Sequence, residues 1–218
     1  MITVTEENYL KAIYSLNADR DGKELGTNEL ASHLNISPAT VSNMLQKLKE
    51  KKLINYKKYG GISLLEKGEK AAITVIRKHR LWETFLVAKM EFTWDEIHEV
   101  AEQLEHIKST KLIDQLDKLL GYPEYDPHGD PIPKVNGEMR ETYRTTLDQG
   151  TPGDSFSMVG VKNDSPAFLQ HITKLGLAIN SKITIKARYE FDGSLEAEIE
   201  GTHQLISQKV AENIYVAS

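Results

Sequence analysis

Two stretches of the chain place histidines and carboxylates at helical spacing. His79 and Glu83 lie four residues apart on one predicted helix, so they would share a face. A second predicted helix holds four such residues on a stripe about 100° wide, and they are His98, Glu102, Glu105 and His106. Imidazole and carboxylate together are typical ligands for Mn²⁺, Fe²⁺ or Zn²⁺. Two such helices packed together could form a pair of metal sites. The alternative is a charged helix face exposed to solvent.

The composition is that of an ordinary soluble protein. Of the 218 residues, 39% are hydrophobic and 27% charged, and no apolar run approaches the roughly 18 residues that a membrane helix needs. The N-terminus lacks the basic and apolar regions of a signal peptide. There is no cysteine, which excludes disulfides, thiolate metal ligands and cysteine nucleophiles and fits a reducing compartment. We therefore expect a cytoplasmic protein that does not insert into a membrane.

Positive charge is concentrated in one segment although the net charge is −5. Between Lys47 and Lys58 the chain has six lysines and a single acidic residue, Glu50. Binding to a polyanion depends on this local field rather than on the charge summed over the chain. The segment therefore predicts contact with nucleic acid.

The first seventy residues predict helices followed by a short hairpin. Thr3 and Glu6 have the spacing of a capping box for a first helix, and a second helix is predicted to begin near Thr27. Ser37-Pro38 would cap a third helix, with proline where its missing N–H costs least. Leu53–Tyr56 and Ile62–Leu64 then have the pattern of a hairpin. This order of elements is typical of a winged helix-turn-helix.

A recognition helix reads DNA bases with residues near its N-terminus. In this chain those residues are Ser37, Pro38, Ala39, Thr40, Ser42 and Asn43. Lys47 and the hairpin lysines Lys57 and Lys58 would hold phosphates. The alternative is that Ser37-Pro38 only caps the helix and that the lysines only keep the protein in solution.

The rest of the chain changes from helical to β-type patterns. Residues 66–120 have a helical pattern throughout, and the proline-rich segment 125–133 is predicted to be an ordered or semi-rigid connector. One amphipathic helix, Pro166–Gly176, lies among short β-type runs, which are Ser155–Val161, Lys182–Tyr189, Leu195–Ile199 and Ile214–Ala217. We expect a compact β-barrel of roughly 70 residues.

Several segments together resemble the diphtheria-toxin-repressor and manganese-transport-regulator family of bacterial metal-dependent repressors. The resemblance covers essentially the whole chain and is strongest at Glu7–Tyr14, Ser37–Leu48, Arg77–Glu83, His98–His106 and Gly129–Pro133. It implies a mainly helical N-terminal two-thirds and a C-terminal SH3-like β-barrel. The implied domains are a winged helix at 1–72, a helical dimerisation and metal-binding domain at 73–140, and a linker with the SH3-like domain at 141–218.

The resemblance also implies two sets of metal ligands. An ancillary site would use His79, Glu83 and His98. A primary site would use Glu102, Glu105, His106 and a ligand from the first helix that falls on Asn8. Relatives with a carboxylate at the Glu102 position usually have aspartate where this chain has Asn8, and often glutamate where it has Lys11. Asn8 offers only an amide oxygen and Lys11 cannot be a ligand, whereas Asp164 is a candidate ligand from the SH3-like domain.

The function implied is that of a metal-dependent repressor of metal-homeostasis genes. Oxygen and imidazole donors without sulfur favour Mn²⁺ or Fe²⁺, although Zn²⁺ or Co²⁺ would bind in vitro. A homodimer would bind a palindromic operator in double-stranded DNA, and metal would hold its two recognition helices at the spacing of successive major grooves, about 34 Å. One alternative is a metal-independent winged-helix regulator that responds to a small ligand or a partner. Another is a binuclear metallohydrolase, but we expect no enzyme.

The remaining histidines and the aromatic residues have simpler interpretations. His33, His128, His171 and His203 lack a partner at ligand spacing and are expected at the surface. The aromatic side chains are expected in the core or at a dimer interface, and they are Trp82, Phe85, Phe92 and Trp94.

Overall fold

The chain forms two compact units. The structure, a computed structural model, describes residues 2–18, 24–57, 61–140, 142 and 145–218. The first unit comprises Met1–His79, Leu104–Ser109 and Pro133–Glu138, and the second comprises Arg80–Gln103, Thr110–Ile132 and Met139–Ser218. The domain boundaries given above stay a prediction.

The described residues form helices in the first half of the chain and mainly strands in the last third. The helices are α1 (Val4–Ala18), α2 (Thr27–His33), α3 (Pro38–Glu50), α4 (Glu66–Met90), α5 (Ile97–Leu104), α6 (Thr110–Leu119), α7 (Pro166–Lys174) and α8 (Gln208–Ala211). The strands are β1 (Ile54–Tyr56), β2 (Ile62–Leu64), β3 (Ser155–Val161), β4 (Lys182–Arg188), β5 (Leu195–Ile199), β6 (Thr202–Ile206) and β7 (Ile214–Ala217). Across the described parts of the chain, every helix is too short or too polar to span a bilayer.

Capping residues begin α1 and α3 as the sequence predicts. The Thr3 N–H donates to Glu6 Oε2 (2.9 Å) and the Glu6 N–H donates to Thr3 Oγ1 (3.3 Å), which is a reciprocal capping box before α1. Ser37 Oγ accepts from the Thr40 N–H (3.2 Å), and Pro38 occupies the first turn of α3.

The winged-helix arrangement is present in the first unit. The helices α1, α2 and α3 bury one apolar cluster that includes Leu10, Leu30 and Leu45. The strands β1 and β2 pair in antiparallel register, with Tyr56 opposite Ile62. Residues 58–60, between these two strands, lie outside the described residues.

The predicted helical region 66–120 consists of three helices. Chain segments 91–96 and 105–109 separate α4, α5 and α6. The prediction that one helix continues through His106 is therefore wrong, because α5 ends at Leu104 and the Ile107 N–H donates to the Leu104 carbonyl (3.2 Å) in a turn. Glu105 and His106 thus do not continue the α5 face that holds His98 and Glu102.

The C-terminal part of the second unit is a small antiparallel sheet. Its strand order is β6-β5-β4-β3-β7, and α7 and α8 contribute buried residues such as Leu169, Ile172 and Val210 to the same core. This confirms the predicted small SH3-like β domain. The strand β6 was not predicted, because only Ile206 is buried along it and the other side chains have no clear alternation.

Candidate metal centre

The second unit holds a buried cluster of two carboxylates and an imidazole. Glu83 from α4 and Asp126 and His128 from the proline-rich segment each offer one ligand atom, and these atoms all lie within 4.8 Å of one another. All three residues are buried. The expectation that His128 lies at the surface is wrong, since its side chain is only 5% exposed and its Nδ1 lies 3.9 Å from Glu83 Oε2.

A tight turn positions Asp126 and His128. Asp126 Oδ1 accepts hydrogen bonds from the N–H groups of His128 (2.9 Å) and Asp130 (3.0 Å). Gly129 in the turn has φ +88°, and a Cβ there would lie 2.1 Å from the Val159 carbonyl oxygen, so the turn can approach β3 only with glycine at this position. The proline-rich segment is therefore ordered, as predicted.

The second nitrogen of His128 fixes which atom faces the carboxylates. His128 Nε2 lies 2.8 Å from the Trp94 carbonyl oxygen, and the ring stacks on Trp94 at 6.3 Å between centroids. Because a carbonyl can only accept, Nε2 carries the proton. In a ring with its proton on Nε2 only, the lone pair of Nδ1 is on the side of Glu83, an arrangement common for metal-binding histidines.

The negative charge of this cluster is only partly balanced. Burial, together with the charges of Asp130 and Glu83, raises the pKa of Asp126 to about 7, against the opposing charges of Arg80 and His128. Arg80 Nε lies 3.6 Å from Asp126 Oδ2. Asp126 Oδ2 is nevertheless buried and accepts no hydrogen bond from any residue that the structure describes. Such a carboxylate oxygen fits a bound cation.

His98 lies between the same glutamate and Glu102. His98 Nδ1 is 3.5 Å from Glu83 Oε1, and His98 Nε2 is 3.5 Å from Glu102 Oε1. Glu83 and His98, both from the predicted ancillary set, are thus neighbours, and Glu102, from the predicted primary set, contacts His98. Asp164 is exposed, and its role as a ligand stays a prediction.

A second cluster lies in the first unit around Glu105, which is 1% exposed. Glu105 Oε2 accepts from His79 Nδ1 (2.6 Å) and from Lys11 Nζ (2.7 Å). Burial alone would raise the pKa of Glu105, but the hydrogen bond from His79 and the charge of Lys11 outweigh it and hold this pKa below its ordinary value.

His106 belongs to this cluster and contacts a residue of α1 that the sequence reasoning missed. His106 Nδ1 lies 2.7 Å from Glu7 Oε2, and His106 Nε2 lies 3.6 Å from Glu105 Oε1. Asn8, the expected ligand from α1, is exposed. Glu7 and Lys11 are four residues apart on α1 and share a face, and that spacing is the signal that could have identified Glu7.

Both clusters have the chemistry of sites for a borderline divalent ion. Their donors are carboxylate oxygens and imidazole nitrogens, which suit Mn²⁺, Fe²⁺ or Zn²⁺. The residues of each cluster come from segments far apart in sequence, so a bound ion would connect them.

The expected DNA-reading residues lie on the outer surface of α3. Ser37, Pro38, Ala39, Thr40 and Asn43 are exposed and Ser42 is half-buried. Lys47 and Lys57 are also exposed, while Lys58 lies outside the described residues.

One lysine of the basic segment has a structural partner. Lys51 Nζ donates to both oxygens of the buried Glu6 (2.6 and 2.8 Å). Less of the local positive charge is therefore available to DNA than the sequence suggests.

Comparisons with known families support a DNA-binding part and a metal-binding part of the chain. Residues 1–62 match the N-terminal DNA-binding domain of iron-dependent repressors, residues 65–134 match their metal-binding and dimerisation domain, and residues 145–218 match the FeoA domain. A solved structure described as a manganese-dependent transcriptional repressor in complex with manganese is 32% identical, with a TM-score of 0.87 over 98% of this chain and 99% of that one. The chain belongs to the family of iron- and manganese-dependent transcriptional repressors.

Individual relatives match different shares of this family member. The chain is 36% identical over 129 residues to the iron-dependent repressor IdeR of Mycobacterium bovis, a match that covers 59% of the chain and 55% of IdeR. It is 31% identical over 127 residues to the regulator MntR of Lysinibacillus sphaericus, covering 58% of the chain and 89% of MntR. The structure of ScaR with bound Zn²⁺ has a TM-score of 0.79 and is 32% identical over 98% of the chain. The chain thus spans little more than half of IdeR.

Proposed function

We propose that this family member is a homodimeric transcriptional repressor that binds a palindromic DNA operator when Mn²⁺ or Fe²⁺ is bound. The buried cluster of Glu83, Asp126 and His128 carries the proposal of metal dependence. Three buried ligand groups, one of them with a carboxylate oxygen that accepts no hydrogen bond from the described residues, are costly to maintain without a cation.

The proposed metal ligands form two groups. Glu83, Asp126 and His128 would hold one ion, with His98 and Glu102 beside them. Glu105, His106 and Glu7 would hold another, next to His79. The bound ion would supply positive charge that balances these carboxylates. Zn²⁺ or Co²⁺ would also bind in vitro, since affinity for such donors generally exceeds that of Mn²⁺.

DNA binding would use the exposed start of α3. Hydroxyl and amide groups such as those of Ser42 and Asn43 can hydrogen-bond base edges, and Lys47 and Lys57 can bind phosphates. In the first unit the contacts of Glu7 and Lys11 connect α1 of the winged helix to the segment that holds Glu105 and His106. Metal at this segment would therefore act directly on the position of α1.

Fluorescence anisotropy on DNA upstream of this protein's gene and of neighbouring metal-transport genes tests the proposal. The metal-free protein is titrated with chelator present and then anaerobically with Mn²⁺, Fe²⁺ or Zn²⁺. We expect tight binding only with metal, and its loss in Glu83→Gln and in Glu105→Ala. Glu99→Gln, an exposed glutamate of α5, is the matched control. DNA binding that persists equally in chelator would contradict metal dependence.

Two alternatives give different results in the same experiments. A metal-independent regulator would bind the operator with chelator present, and the Glu83 and Glu105 variants would bind as the wild type does. A binuclear metallohydrolase would turn over ester or phosphoester substrates with Mn²⁺. The resemblance to transcriptional repressors supports a regulator rather than an enzyme.

A further inference from the structure

The ammonium group of Lys11 contacts the carboxylate of Glu105, which is a metal ligand in the proposed function. Its Nζ lies 2.7 Å from Glu105 Oε2 and 3.2 Å from His79 Nδ1. The Lys11 side chain is 19% exposed and that of Glu105 is 1% exposed. The contact is therefore a largely buried charge pair, formed by residues 94 positions apart in the chain.

A buried carboxylate needs a counter-charge, and here the protein provides its own. Removing a carboxylate from water is unfavourable unless it is paired and hydrogen-bonded. Lys11 and His79 both contact the same oxygen of Glu105, while the other oxygen, Oε1, is the one nearer His106 at 3.6 Å. One oxygen of the Glu105 carboxylate is thus already paired with the ammonium group of Lys11.

We propose that Lys11 is a tethered cation that competes with a divalent ion for Glu105 and so sets the metal concentration at which the Glu105–His106 site fills. This rests on the proposed function, since it requires that site to bind metal. In the metal-free protein Lys11 joins α1 to the segment of Glu105. A divalent ion at Glu105 must displace the ammonium group, and the displaced charge, which α1 still holds nearby, lowers the affinity.

The size of the effect follows from Coulomb's law. A single positive charge about 6 Å from a divalent ion weakens binding by a factor of about ten even at the dielectric constant of water. The surroundings of Glu105 are less polar than water, so a factor of ten is the lower end of the expected range. Replacing Lys11 by a neutral residue should therefore strengthen metal binding at this site at least about tenfold.

The test measures Mn²⁺ affinity at this site rather than DNA binding. Paramagnetic broadening of the imidazole NMR signals of His106, assigned with His106→Gln, reports occupancy as Mn²⁺ is titrated into the full-length metal-free protein. Lys11→Met removes the charge but keeps most of the apolar stem, and Lys11→Arg keeps the charge. We expect Lys11→Met to lower the Kd at least about tenfold, and Lys11→Arg to stay close to the wild type.

A second measurement uses the unaltered chain, so that the proposal stays testable if Lys11→Met folds poorly. Reductive methylation of the lysines, read by mass spectrometry, should modify Lys11 faster in Mn²⁺-saturated than in metal-free protein. Lys49, an exposed lysine of α3, is the internal reference. Faster methylation of Lys11 relative to Lys49 would support displacement of the ammonium group.

The outcomes separate this proposal from the proposed function. If His106 responds to Mn²⁺ in the wild type, and Lys11→Met has the same Kd or methylation of Lys11 is unchanged by metal, competition by Lys11 is wrong while the metal site stands. If His106 does not respond in the wild type or in Lys11→Met, the metal site at Glu105 is itself wrong and this proposal falls with it.

Discussion

The two carboxylate–imidazole clusters differ in how their negative charge is balanced. Around Glu105, the first unit provides Lys11 and His79 as hydrogen-bond donors, and the pKa of the carboxyl is lowered despite its burial. Around Asp126, the second unit places Glu83 and Asp130 close by, and burial with these charges raises the pKa of Asp126 to about 7. The first cluster is nearly complete without an ion, whereas the second retains a carboxylate oxygen that accepts no hydrogen bond from the described residues. Clusters of the same residue types therefore differ in how strongly they should require metal.

The largest expected effect is the loss of metal binding in Asp126→Asn. The amide keeps an oxygen for the N–H groups of His128 and Asp130, but removes the charge that would bind the ion. Isothermal titration calorimetry should show Mn²⁺ affinity at this site weakened by about a hundredfold or more, at the upper end of what changes around metal ligands cause.

Asp130→Asn is the matched control for that variant. Asp130 lies in the same turn, and its Oδ2 accepts from Arg80 (3.1 Å). It should change the affinity far less than Asp126→Asn. Equal losses in the two variants would show that the turn, and not the Asp126 charge, is what metal binding needs.

The next effect concerns the stability of the metal-free protein as pH changes. The pKa of Asp126 is raised in the folded state to about 7, so between about pH 4 and pH 7 the folded state holds a proton that the unfolded state has lost. The contribution of this proton to stability is present at low pH and is lost as pH rises through about 7.

Thermal unfolding in chelator should show the melting temperature of the second unit falling across this range, and Asp126→Asn should remove that part of the fall. A melting temperature that rises over the same range in the wild type but not in the variant would contradict the sign.

A smaller effect should separate Glu7 from Asn8 as the ligand from α1. Glu7 Oε2 lies 2.7 Å from His106 Nδ1, and Asn8 is exposed. We expect Glu7→Gln to weaken Mn²⁺ binding at His106 by about tenfold, since a neutral oxygen replaces a charged ligand, and Asn8→Ala to leave it unchanged. Broadening of the His106 signals measures both, and a reversed order of the two variants would return the assignment to Asn8.

The sequence predicts elements that local chemistry determines and misses contacts that depend on the tertiary fold. The starts of α1 and α3 follow from Thr3 with Glu6 and from Ser37 with Pro38, because a cap is a local hydrogen bond. The end of α5 at Leu104 could not be predicted, because Glu105 and His106 keep a helical spacing although long-range contacts with Lys11 and Glu7 hold them.

The site in the proline-rich segment shows the same limit. Asp126 and His128 have no periodic pattern, and their proximity to Glu83 depends on a turn that packs closely on β3. Their residue types alone gave no reason to separate His128 from the exposed His171 and His203. In the folded protein His128 is buried next to Glu83 and Asp126, and this position makes it a candidate ligand.

The smallest expected effect on metal binding is that of Lys51, and it tests whether charge balance alone distinguishes the clusters. Glu6 is a buried carboxylate in the first unit, and its cation is Lys51 at 2.6 Å. Burial would raise its pKa, but the hydrogen bonds from Lys51 and Thr3 hold this pKa below the ordinary value. Its pairing with a lysine is like that of Glu105, but its other described hydrogen-bond partner is Thr3 rather than a histidine. Lys51→Met should therefore lower the free energy of unfolding by roughly 1 kcal/mol, the order expected for a half-exposed pair, and leave the Mn²⁺ affinity unchanged. Lys49→Met replaces an exposed lysine in the last turn of α3 and should change neither quantity. Chemical denaturation and calorimetry measure the two, and a change in Mn²⁺ affinity in Lys51→Met as large as that in Lys11→Met would mean that the general charge of the first unit, rather than the contact of Lys11 with Glu105, sets the affinity.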